Sequence, residues 1–224
     1  MKKILLLAAL TIFLLGGTTA QAALLSISDD PGSYGDIPNG ATNELLQGIY
    51  GTSTRYGYFG STVYLTASAN LYFTFLGFEA GYDNDFILRT SQLFSTEIYA
   101  PNNKVTGSSV VSGPYFFEVG ASPLIIPFSF NVNNVLGVRN GFNPDDASAS
   151  ANINFFVSFD SNSPADKNGD SLVLFLDDAG AGPDDNHDDM AIRIGARAVP
   201  EPATMLLLGV GLIGLAVFGR KRFI

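Results

Sequence analysis

From Gly60 to Val199 the apolar residues of this chain alternate with small or polar ones, and no stretch of any length carries a helical repeat. A period of two puts successive side chains on opposite faces of a strand, so this pattern forces the chain into sheets. Residues 61–80, STVYLTASANLYFTFLGFEA, predict two strands with Val63, Leu65, Leu71, Phe73 and Phe75 facing inward. Residues 85–100, 110–120 and 122–132 continue with short strands, and Pro114, Pro123 and Pro127 mark edges, bulges or strand starts. ANINFFVSFD is a strand, and the LVLFL run in DSLVLFLDD reads as buried on both faces. MAIRIGARAV puts Ala191, Arg193, Gly195 and Arg197 on one face and Ile192, Ile194, Ala196 and Ala198 on the other. Ahead of these strands, residues 23–58 are rich in turns, with one short helix in NELLQGIYG capped by Asn43. The expected fold is all-β, an antiparallel β-sandwich of jelly-roll-like form.

The two ends break the pattern. Lys2 and Lys3, an apolar run from Ile4 to Leu15 and the Ala20-Gln21-Ala22 exit predict a signal peptide over residues 1–22, cut after Ala22. At the other end Pro200 and Pro202 bracket Glu201 in a stiff extended element. Ala203 to Gly219 follows without a charge, and its 17 residues reach about 25 Å as a helix, near the lower limit for a membrane span. Arg220, Lys221 and Arg222 then serve as a cytoplasmic stop. The expected organisation is a signal peptide (1–22), an extracytoplasmic β-sandwich (23–198) and a tail (199–224) with a transmembrane helix over 203–219.

Pro-Glu-Pro, a short Gly- and Leu-rich apolar run and a terminal basic cluster resemble, in order and spacing, the PEP-CTERM sorting tail of exported Gram-negative proteins. The resemblance covers Val199 to Ile224. It implies that an exosortase, a membrane protease-transpeptidase, recognises the tail and cuts near Pro200, Glu201 and Pro202. It further implies passing residence in the inner membrane, delivery to the cell surface or beyond, and an association with exopolysaccharide and biofilm.

The formal net charge is −9. Five of the 12 basic residues sit in the ends, so residues 23–199 hold seven against 20 acidic ones, about −13. Such a surface excludes nucleic acid as a partner and suits a divalent cation. With no Cys, disulfides and thiol chemistry are absent. The acidity is densest in LDDAGAGPDDNHDDMAI, where Asp177, Asp178, Asp184, Asp185, Asp188 and Asp189 fall within 13 residues. Like charges so close repel by about 1 kcal/mol per pair even in water. Either solvent or a bound calcium ion, which takes about six to eight oxygens from flexible loops, offsets that repulsion. These six residues are the candidate metal ligands and calcium the expected cofactor. Asp166-Lys167-Asn168-Gly169-Asp170 has D-x-N-x-D spacing, but Ser171 replaces the turn glycine of an EF-hand and a strand follows. Residues 81–86 form a second acidic turn able to fold alongside. The acidic segment also resembles a recurrent hairpin of exported bacterial proteins, and no activity comes with that resemblance.

Catalysis has weak support. His187 is the sole histidine, and its acidic loop favours imidazolium over a free base, so it reads as a surface residue or as a partner that supports a neighbouring ligand. No nucleophile elbow, phosphate loop or H-E-x-x-H occurs. The expectation is a non-catalytic envelope or matrix protein. The alternative is a glycan-acting hydrolase using paired carboxylates on the same scaffold.

Overall fold

The computed structural model describes residues 22–28, 32–38, 43–52, 54–97, 104–145, 153–163, 166–178, 186–199 and 208–215. The elements run, in chain order, β1 (Leu25–Ile27), β2 (Tyr34–Ile37), the helix α1 (Glu44–Tyr50), β3 (Arg55–Tyr58), β4 (Val63–Leu65) and β5 (Ala69–Glu79). Next come β6 (Asn84–Leu88), β7 (Ser91–Ser95), β8 (Lys104–Phe117), β9 (Leu124–Ile125), β10 (Phe128–Val132) and β11 (Val135–Arg139). The last are β12 (Asn154–Phe159), β13 (Asn168–Gly169), β14 (Ser171–Asp177) and β15 (Met190–Ala198).

They form three sheets with antiparallel pairing: seven strands in the order β2-β3-β12-β14-β15-β5-β8, four as β13-β1-β4-β9 and four as β11-β10-β6-β7. One face of the large sheet packs on both smaller sheets. Its Leu71, Phe73, Leu174 and Ile192 share a single core with Leu25 and Val63 of one small sheet and Phe86 and Phe130 of the other. The all-β antiparallel expectation therefore holds, but the layer opposite the large sheet is divided in two, where a jelly roll has one sheet in each layer.

The second face of the large sheet carries a smaller core beneath α1, with Leu45, Leu46, Phe156, Val173 and Phe175. This second core explains the uninterrupted apolar run of β14: Leu172, Leu174 and Leu176 face the first core, Val173 and Phe175 the second. The helix is short and depends on its ends. Asn43 Oδ1 accepts from Leu46 N–H at 2.8 Å, the cap expected from sequence, and Gly51 closes the other end at φ 66°.

Packing around β3 leaves no space for a side chain at Gly57. An added methyl group would strike the carbonyl oxygen of Val157 and sit 2.8 Å from the Phe156 ring. Gly57→Ala is expected to cost about 1–3 kcal/mol in urea unfolding. A variant as stable as the parent would mean that β3 does not lie against β12 as described.

Residues 208–215 are helical, and Leu208, Val210, Leu212, Ile213 and Leu215 are exposed. Among the described residues no helix is long and apolar enough to cross a membrane. The span expected over 203–219 is thus not supported by the described residues, and its two ends lie outside them, as does the signal segment 1–21.

Candidate functional site

The strands β14 and β15 pair up to Leu176 and Met190, and the acidic segment joins them. Asp177, Asp178 and Asp188 are buried and Asp189 is half-buried; Asp184 and Asp185 lie outside the described residues. Burial was not legible in so polar a loop. It arises because Asp189 N–H donates to Leu176 O at 3.2 Å and Glu79 N–H donates to Asp188 O at 2.8 Å, which folds the segment back onto the large sheet.

Amides from distant parts of the chain meet these carboxylates. Asn84 Nδ2 donates to Asp178 Oδ2 at 2.5 Å, so the acidic turn at 81–86 does lie alongside, as expected. Asn186 Nδ2 donates to Asp188 Oδ2 at 2.9 Å, and Asp178 N–H donates to Asp189 Oδ2 at 2.8 Å. Asn43 Nδ2 reaches the Asn186 carbonyl at 2.7 Å and so joins the start of α1 to the same loop. Asn43 stood out in the sequence only as a helix cap and Asn84 only as part of the second acidic turn; neither showed locally that its side-chain amide would meet this loop.

The four described carboxylates repel one another in a setting with little water. Burial first, then the charge of Asp178, with smaller contributions from Asp177 and Asp188, pushes the Asp189 carboxyl up to about 9, against the pull of the Asp178 N–H bond. Asp189 therefore holds a proton at neutral pH unless a cation takes its place. Among the described residues no group of three or more His, Asp or Glu side chains is arranged to hold a metal ion. The second candidate loop is committed elsewhere: Asp166 Oδ2 accepts from Ser161 Oγ at 2.5 Å and Asp170 Oδ1 from Leu24 N–H at 2.9 Å.

His187 is not at the surface, so the first of the two readings of its acidic neighbourhood fails. It is fully buried, with its ring edge-on to Phe59 at 5.3 Å and to Phe156 at 6.2 Å, and Nε2 lies 2.8 Å from Asn154 Oδ1. Two distant segments, the turn after β3 and the strand β12, build this environment, and neither is visible from the residues beside His187.

The tail begins where the body ends. β15 is hydrogen-bonded on both sides, and Ala198, its last residue, pairs with Ala69 of β5. Pro200, Glu201 and Pro202, and Arg220, Lys221 and Arg222, lie outside the described residues. Residues 198–222 match the family model for the PEP-CTERM protein-sorting motif. No curated protein and no solved structure matches the chain at a significant level.

Proposed function

We propose that this chain is a non-catalytic cell-envelope or extracellular-matrix protein, exported, passed through the inner membrane at its tail and cut there by an exosortase. The sorting motif itself marks an exported protein with an exosortase as its processing partner. The observation that carries the rest is the division between body and tail. The motif starts at the last residue of the last core strand, and the apolar side chains of 208–215 are exposed rather than packed into the body. An apolar helix left uncovered suits insertion in lipid or a protease groove. At the other end the body takes hold at Ala23, whose carbonyl accepts from Thr66 Oγ1 at 2.7 Å, next to the expected signal-peptide cut. None of the described residues outside 23–199 belongs to the core.

A chain ending at Val199 is expected to unfold at the same temperature as the full-length protein, within about 2 °C. The function itself is tested by intact mass of the protein from native cells. The major species should end upstream of 208; a major species ending at Ile224 counts against the proposal.

The non-catalytic reading is supported by the position of His187, enclosed by two Phe rings where no substrate reaches it. Association with exopolysaccharide belongs to the same proposal. So does calcium at the acid-rich end of β14 and β15, supported there only by the crowding of carboxylates.

A further inference from the structure

The helix α1 covers part of the second face of the large sheet, and the remainder has an unusual charge. β15 presents Arg193, Gly195 and Arg197 there, and β5 presents Asn70, Tyr72 and Thr74, because the residues between them lie in the opposite core. The register sets Thr74 beside Arg193, Tyr72 beside Gly195 and Asn70 beside Arg197, with Phe116 of β8 next to Asn70. Asn70, Tyr72 and Thr74 are half-buried, Arg197 is exposed and Phe116 is 54% exposed. Gly195 keeps the middle of this surface low, since a Cβ there would meet no atom within 4 Å.

Arg197 lies with its guanidinium carbon 4.9 Å from the centre of the Tyr72 ring. Arg193 pairs with Asp160 at 3.1 Å and donates to Tyr50 Oη at 3.3 Å. Beneath the edge of the same face, buried Arg55 stacks on Tyr50 at 4.3 Å and donates to Ser158 Oγ and the Phe159 carbonyl. Three of the seven basic residues of 23–199 thus share one face of an acidic protein. Among the described residues only Arg193 of these three has a carboxylate within ion-pair distance.

We infer that this face binds an anionic polysaccharide bearing widely spaced carboxylates. Arg197 and Arg193 are four residues apart on one strand, about 13 Å, which suits acid groups separated by uncharged sugar. Guanidinium forks recognise carboxylates. The Tyr72 ring, with the amide of Asn70 and the hydroxyl of Thr74 on either side, offers the apolar surface and hydrogen bonds that a hydroxylated ring needs. A densely charged polymer such as nucleic acid would be repelled by the −9 of the whole chain. The choice of polysaccharide rests on the reading of the chain as an envelope protein; the face itself rests on register and charge.

The test is affinity electrophoresis of the full chain in hyaluronate, in which acidic and uncharged sugars alternate, and in dextran and polyglutamate. Hyaluronate should retard the protein, dextran should not, and polyglutamate should do so more weakly. Arg197→Glu should weaken the interaction by about tenfold while shifting the melting temperature by no more than about 2 °C. Tyr72→Ala should weaken binding and Tyr72→Phe should preserve it. Salt at about 0.5 M should suppress it. Equal retardation by dextran, retardation by polyglutamate as strong as by hyaluronate, or an unaffected Arg197→Glu variant would overturn the inference. Failure to bind hyaluronate by a chain whose tail is still cut in native cells overturns this face alone. Binding by a chain whose tail is never cut overturns the sorting proposal alone.

Discussion

At pH 8 the Asp189→Asn variant is expected to melt above the parent protein, and its melting temperature to stay level over a range where the parent's falls. Burial and the neighbouring charges of Asp178, Asp177 and Asp188 raise the folded-state pKa of Asp189 to about 9. In the unfolded chain it returns to near 4. Between those values the folded protein holds a proton that the unfolded chain lacks, so stability falls as pH rises. Below about 4 both states are protonated and the group has no effect; above 9 both are ionised and the destabilisation is complete. Asparagine keeps an acceptor for the Asp178 N–H and carries no charge. The gain at pH 8 should be on the order of a few kcal/mol, after allowance for the partial exposure of the site. A parent curve that is flat from pH 5 to 9 would show that the carboxylates are separated or solvated. The same scan tests calcium. Millimolar calcium should flatten the parent curve and chelator restore its slope, and a curve moved by neither removes the metal from the account.

Phe86→Ala should produce the largest loss of any single core truncation in the small sheets. Phe86 is fully buried, and its ring centre lies 5.5 Å from that of Phe73, 5.2 Å from Phe130 and 5.6 Å from Phe128. It fills the space between β5 of the large sheet and β10 of the sheet opposite. Removing the ring leaves a cavity that these three aromatic neighbours are too rigid to close, at a cost of about 3–5 kcal/mol. A domain of this size has about 5–15 kcal/mol in total, so urea unfolding should move to much lower midpoints. Phe86→Leu should recover most of the loss. A cost under about 1 kcal/mol for the alanine variant would mean that the two sheets do not share this core.

The parts of the fold legible in the sequence are those where one strand contains its own evidence. Alternation placed Ile192 and Ile194 on one face of β15 and Arg193 and Arg197 on the other, and the structure keeps that division. The apolar run in β14 correctly announced two buried faces. The division of one layer into two sheets was not legible, because strands as short as Leu124–Ile125 and Asn168–Gly169 are too brief to show a period. The candidate site was harder still. Its aspartates were conspicuous and the acidic turn at 81–86 pointed to the neighbourhood, but the contact from Asn84 to Asp178 spans 94 residues, and no local pattern shows which side chains meet. His187 was misplaced for the same reason: its acidic neighbours are adjacent in sequence, while Phe59 and Phe156, which enclose it, are not.

The position of β15 also decides how the protein bears tension. A pull on residue 199 acts along the axis of a nine-residue strand held between β14 and β5. Antiparallel bonds lie perpendicular to the strand, so a pull along it shears them together instead of opening them one at a time. A body tethered by its C-terminus, and dragged by flow or by a growing cell layer, would therefore resist at the middle of its largest sheet and not at a loose margin.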